Sequence, residues 1–130
     1  MRAMRIMVRI YRAEDSAKAS RAGYGANYVA DLTFRKSLDS CGVILVDIAR
    51  NGKSSPHSHE QLEEVFVAMT EIRIFINDTR YDLKEGDVVV VEPGEAHSFE
   101  TEIDKTGRIL ALKFPNIKDD KIVPVRGSEN

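Results

Sequence analysis

The chain has 130 residues, 42% of them hydrophobic, which is enough for a buried core but too few for two ordinary domains. Its 19 basic and 21 acidic residues nearly cancel to a formal charge of -2, which leaves no electrostatic footprint for nucleic acid. No run approaches the ~18 consecutive apolar residues of a membrane span, so a soluble cytoplasmic protein with no nucleic-acid or membrane partner is expected.

At the N-terminus, Ile6, Val8 and Ile10 alternate with Arg5, Arg9 and Tyr11, which predicts an edge strand with its charged side in water. Arg2, Arg5, Arg9 and Arg12 also fall at helical spacing, the less favoured reading. The start is basic, but no small-residue cleavage site follows, so it is not a secretory signal. Helix is confined to residues 13–22, where a solvated loop fits equally well. Cys41 is the only cysteine and cannot form an internal disulfide. It precedes the apolar run Val43, Ile44, Leu45, Val46, which reads as buried, so Cys41 is expected in or near the core.

Turn formers over residues 49–56 end that run. Residues 64–69 and 72–76 are β-branched and aromatic, with only Thr70 and Glu71 between them, the pattern of a tight hairpin. A turn at 77–79 leads to a short strand at 81–83 and then to Lys84-Glu85-Gly86-Asp87. Residues 88–91 are four valines, too uniformly apolar for a strand with one wet face, and should be buried on both sides. Glu92-Pro93-Gly94-Glu95 places Pro and Gly at the second and third positions of a type II turn. Strands at 97–101 and 109–114 follow, and the charged tail from 116 to 130 reads as an ordered strap that frays toward its end. Short strands at this spacing predict an all-β sandwich or barrel.

All three histidines fall in two short segments, His57 and His59 in the first and His97 in the second. Histidines two apart in extended chain point to one face, so His57 and His59 reach a common point. A carboxylate follows shortly, and His97 arrives on a later strand, so nitrogen and oxygen ligands can converge on one ion. Three imidazoles and a carboxylate suit a divalent transition metal (Mn, Fe, Co, Ni, Cu or Zn) better than Ca or Mg. If Glu64 points inward, Phe66 and Ala68 line the cavity while Val65, Val67 and Met69 face outward; Glu63 as ligand reverses that set. Across the expected hairpin, Arg73 and Phe75 should face inward, and Phe99 shares the face of His97. Arg73 is then the candidate for an anionic substrate group, with Phe66, Phe75 and Phe99 around a small organic body. The phenylalanines also read as plain core.

These residues resemble the paired motifs of the cupin superfamily, in its small, single-domain, cupin-2-like form. Gly52, His57, His59 and Glu64 match the first motif, and Gly86, Asp87, Pro93, Gly94 and His97 the second. Glu92 at the usual first proline position, Thr70 or Glu71 in place of a closing glycine, and Thr101 in place of Asn depart from the pattern, but none removes a ligand. The resemblance covers about residues 43–114. It implies one cupin domain over 1–130, with an N-terminal strand and loop over 1–42 and a tail over 115–130. It further implies a double-stranded β-helix, or jelly-roll barrel, with one divalent metal held by His57, His59, Glu64 and His97 near its axis; family spacing favours Glu64 over Glu63. The function implied is that of a small metalloenzyme of dioxygenase, isomerase or decarboxylase type acting on a small polar or sugar-like molecule. The alternative is a non-catalytic cupin that senses or sequesters its ligand. With Glu64 inward, Val65, Val67, Met69, Ile72, Ile74 and Ile76 form an outward apolar set that needs a cover, from the N-terminal strand or from the second subunit of a homodimer.

Overall fold

The computed structural model describes residues 8–22, 24–34 and 39–123. Among them the chain runs through β1 (Arg9–Tyr11), a single 3-10 turn (Ala13–Asp15), β2 (Ala17–Arg21), β3 (Tyr24–Tyr28), β4 (Gly42–Ile48) and β5 (Ser58–His59). It continues through β6 (Glu63–Ala68), β7 (Ile72–Ile76), β8 (Thr79–Leu83), β9 (Val88–Val91), β10 (His97–Glu100), β11 (Gly107–Phe114) and β12 (Lys121–Ile122). The all-β class expected from the sequence is the class observed. The N-terminal edge strand is present as β1, paired with β9, although Ile6 lies outside the described residues.

One sheet has the order β1-β9-β6-β11-β4, and a second has the order β10-β7-β8. Backbone bridges from His57 to His97 and from Lys53 to Glu100 hang the segment leading into β5 on the free edge of β10. β12 pairs in turn with β5. The two layers face each other without closing into a complete barrel. Phe66, Val89, Ile109 and Ala111 from the first layer meet Ile72, Ile74, Ile76 and Phe99 from the second in one core.

The tight hairpin expected at 64–76 is not formed. β6 pairs with β9 and β11, whereas β7 pairs with β8 and β10, so residues 69–71 carry the chain from one layer to the other. The reason lies in burial. Crossing over lets Phe66 and Ala68 and all three isoleucines of β7 face a single interior, where a flat hairpin with Glu64 inward leaves the isoleucines outside. The hairpin that does form is β7–β8, whose two turn residues Asn77 and Asp78 have positive φ of 48° and 69°, as its tight connection demands.

The four valines of β9 are buried on both faces, as expected. Val89 and Val91 enter the main core, and Val88 and Val90 join Val65 on the other side of the sheet. That outer cluster is covered within the chain by Val29, Leu32 and Phe34, so a loop of the N-terminal region supplies the cover. The run at 43–46 is a correction in the opposite direction. Among the described residues β4 has a neighbour on one side only, and its Val43 and Leu45 are 66% and 50% exposed; Cys41 is exposed as well. Residues 13–22, expected as helix or loop, form the 3-10 turn and β2, which pairs with β3.

Two turns fix the ends of β9. At Gly94, φ is +88° and the Glu95 N–H donates to the Glu92 carbonyl at 3.1 Å, as the Pro-Gly turn requires. At the other end the buried Asp87 carboxylate accepts from the N–H groups of Lys84 at 2.8 Å and Ala13 at 3.0 Å, and pairs with Arg12 at 2.6 Å. This knot ties the N-terminal segment to the β8–β9 turn.

Candidate metal centre

His57 and His97 exchange backbone hydrogen bonds, at 3.1 Å from the His57 N–H and 2.9 Å from the His97 N–H. The bridge sets their rings side by side, with centroids 4.5 Å apart. His59, two residues further on, shares the face of His57, and its ring lies 5.1 Å from that of His57. Glu64 comes from the other layer, near the start of β6. Its ligand oxygen and one nitrogen from each histidine all lie within 4.8 Å of one another.

The protonation pattern inside this cluster calls for a cation. The Nδ1 of His97 lies 3.0 Å from the Glu95 carbonyl and that of His57 lies 3.3 Å from the Ser55 carbonyl. A carbonyl only accepts, so each Nδ1 is assigned the proton and each Nε2 keeps its lone pair. The Nε2 atoms of His59 and His97 stand 2.9 and 3.0 Å from Glu64 Oε1. All three atoms are buried and make no hydrogen bond. The lone pair of His97 thus faces a carboxylate oxygen with no proton between them, and a divalent ion satisfies both.

Electrostatics reinforce the pattern. Burial, then the neighbouring His97, then the more distant charges of Lys121 and His59, hold His57 down at a pKa of about 4 against a single opposing contact to Ser55. Near neutrality His57 is therefore a free base, the state in which an imidazole coordinates a metal.

The cupin domain family matches residues 44–113 of the chain, more than half of its length. The chain belongs to the cupin family. No curated protein matches it in sequence. Among solved structures, this cupin is similar to a conserved protein with a double-stranded β-helix domain from Klebsiella pneumoniae, at 14% identity and a TM-score of 0.60 over 70% of this chain and 81% of that one. It is also similar to oxalate decarboxylase from Lactobacillus farciminis, at 18% identity and a TM-score of 0.57 over 65% of this chain. A third is salicylate 1,2-dioxygenase from Pseudaminobacter salicylatoxidans, at 13% identity and a TM-score of 0.53 over 58% of this chain. The cupin spans only 26% of the decarboxylase and 21% of the dioxygenase.

The carboxylate choice left open by the sequence falls on Glu64. Glu63 points to the other face of β6, where its Oε2 meets Arg9 at 3.3 Å. Phe66 and Phe99 lie beside the cluster, with the Phe66 ring 5.4 Å from that of His97 and 4.9 Å from that of Phe99. Arg73 and Phe75 do not join them. Because β7 sends Ile72, Ile74 and Ile76 inward, its odd-numbered residues face out, the reverse of the parity inferred from a hairpin. Arg73 is held there by Glu100 at 3.2 Å, and Phe75 lines a groove of about 730 Å³ with Lys53, Pro56, Ser98, Phe99 and Glu100. One positioning residue of this cupin escaped the sequence reading. The Asp120 carboxylate accepts from the N–H groups of Gln61 at 2.8 Å and Leu62 at 3.0 Å, which fixes the bend between His59 and Glu64. Its sequence signal is only that of one acid in a charged tail.

Proposed function

We propose that this cupin is a small metalloenzyme in which His57, His59, Glu64 and His97 hold one divalent transition metal (Mn, Fe, Co, Ni, Cu or Zn) and present a small polar molecule to it. The observation that carries this reading is the buried set of acceptor atoms gathered around one point with no hydrogen bond among them. A metal bound there supplies Lewis acidity toward an oxygen-bearing substrate and, if it is redox-active, dioxygen chemistry. The chain's own residues do the rest. His57 is the least buried ligand and marks the side from which substrate approaches. Phe66 and Phe99 close the opposite side against water. That folds of this kind occur in proteins named as a decarboxylase and a dioxygenase supports an enzyme of small organic molecules.

Elemental analysis of the purified protein should find close to one equivalent of metal. Loaded with manganese, the protein should speed the relaxation of bulk water protons, because an open coordination position exchanges water. Relaxation no faster than in the metal-free protein means a closed centre, and would replace the enzyme by a binding protein.

The homodimer belongs to the same reading. Among the described residues β4 offers an unpaired antiparallel edge with Val43 and Leu45 exposed beside it, and such an edge is self-complementary across a two-fold axis. Sedimentation velocity should show a dimer that Leu45→Lys converts to a monomer. A wild-type monomer at all concentrations would remove the dimer from the reading.

A further inference from the structure

Two lysines stand on the ligand side of the strands that adjoin the cluster. Lys113 on β11 is directly opposite Glu64 on β6, next in the inward-facing series after Ile109 and Ala111. Lys121 on β12 is directly opposite His59 on β5. Residues opposite each other in an antiparallel pair send their side chains to the same face, so each lysine leaves the backbone beside a ligand and on that ligand's side. Adjacent strands lie only ~4.8 Å apart, less than the length of an extended lysine side chain. Lys113 is half-buried and Lys121 exposed, so neither residue is enclosed in the core.

Neither lysine has a carboxylate partner among the described residues. Arg9, Arg12, Arg73, Arg80, Lys84, Lys105 and Arg108 each face an acid, whereas Lys18, Arg50, Lys53 and Lys118, which also have none among the described residues, lie on strands and loops that do not register with Glu64 or His59. The ligand set contributes one negative charge, from Glu64, against the two of a divalent metal, and the ammonium groups of Lys113 and Lys121 add to the positive side, opposed by the nearby carboxylates of Asp120 and Glu95. A centre with this field favours an anion over a neutral sugar. Arg73, the cation that hairpin parity assigns to this task, is already neutralised by Glu100 on the outer face.

We propose that Lys113 and Lys121 form an anion clamp at the mouth of the metal centre and that the substrate of this cupin is a small carboxylate, held through its charged group by these two side chains. The clamp rests on the reading of His57, His59, Glu64 and His97 as metal ligands. Lysine suits the task because a flexible stem carrying a point charge follows an anion through small shifts of position.

The test uses cobalt-loaded protein, with the visible spectrum titrated by oxalate as the anionic probe and by imidazole, near pH 8, as the neutral one. Wild type, Lys113→Met, Lys121→Met and Lys113→Arg are compared, and the cobalt content of each is measured separately. Each methionine variant should keep its cobalt and its imidazole affinity while binding oxalate roughly tenfold more weakly; the arginine variant should stay near wild type. Oxalate affinity unchanged in both cobalt-loaded methionine variants overturns the clamp, as does loss of cobalt from them, which would make the lysines supports of the ligand set. Wild-type protein that binds cobalt and imidazole but not oxalate also overturns the clamp and leaves the metal centre standing. Wild-type protein that binds no cobalt removes the metal centre and the clamp together.

Discussion

Replacing His97 with alanine is expected to abolish tight metal binding while the protein remains folded. His97 is 2% exposed and its Nε2 stands 3.0 Å from Glu64 Oε1, so its loss removes one of the four groups that converge on the centre and the only one carried by β10. Removing an outer-shell partner of a metal ligand costs ~10–100-fold in affinity, and removal of a ligand itself should exceed that. The core has little stake in the ring: the isoleucines of β7, Val89 and Ile109 pack without it. Metal-free His97→Ala should therefore unfold within ~2 kcal/mol of metal-free wild type. Equilibrium dialysis and urea unfolding on the same samples check both halves, and a variant that retains its full metal content refutes the ligand assignment.

Asp87→Ala should have the largest effect on stability, about 3 kcal/mol near neutral pH, because it strands two backbone donors and the charge of Arg12 at once. Its carboxyl is held below the usual range: burial opposes ionisation, but the Lys84 and Ala13 N–H groups and Arg12 together prevail. The sign of the pH dependence follows. A depressed folded-state pKa means that the unfolded chain binds the proton more readily, so this stabilisation is complete above the unfolded value of ~3.9 and is lost as pH falls through the folded one. The gap in unfolding free energy between wild type and Asp87→Asn should narrow in acid. A gap that stays constant from pH 7 to pH 3 would falsify the role given to the charge.

The candidate ligand cluster was readable from sequence because the chemistry is concentrated there. A chain with three histidines places two of them at strand period and the third just past a Pro-Gly turn, and only a shared face explains that economy. In the sequence only family spacing favoured Glu64 over Glu63; the structure adds that Phe66 and Ala68 join the main core while Val65 and Val67 belong to the outer cluster. Connection was harder to read than composition. Thr70 and Glu71 serve equally to turn a strand back on itself or to carry it across the core, and the choice is made by contacts with β8, β9, β10 and β11, which are remote in sequence. Placing Arg73 and Phe75 inside was a direct result of that one link. Likewise the apolar run of β4 announces a strand but not how many neighbours it has, and the polar β2 and β3 pair without the apolar alternation that signals a strand.

Glu64 belongs to one layer, and the three histidines belong to the edge of the other. Under the proposed ligand set the distance between the sheets is a ligand-to-ligand distance, and the residues that set it, Ile74 and Val89 among them, would influence coordination without touching the centre. Thermodynamic linkage makes the relation reciprocal: whatever tightens the packing raises affinity, and a bound ion stabilises the packing by RT ln(1 + [M]/Kd), which is about 2.7 kcal/mol at a hundredfold excess over Kd. A conservative trim deep in the interior, such as Ile74→Val, would then behave in a living cell as a nutritional phenotype, tolerated when the metal is plentiful and degraded when it is scarce.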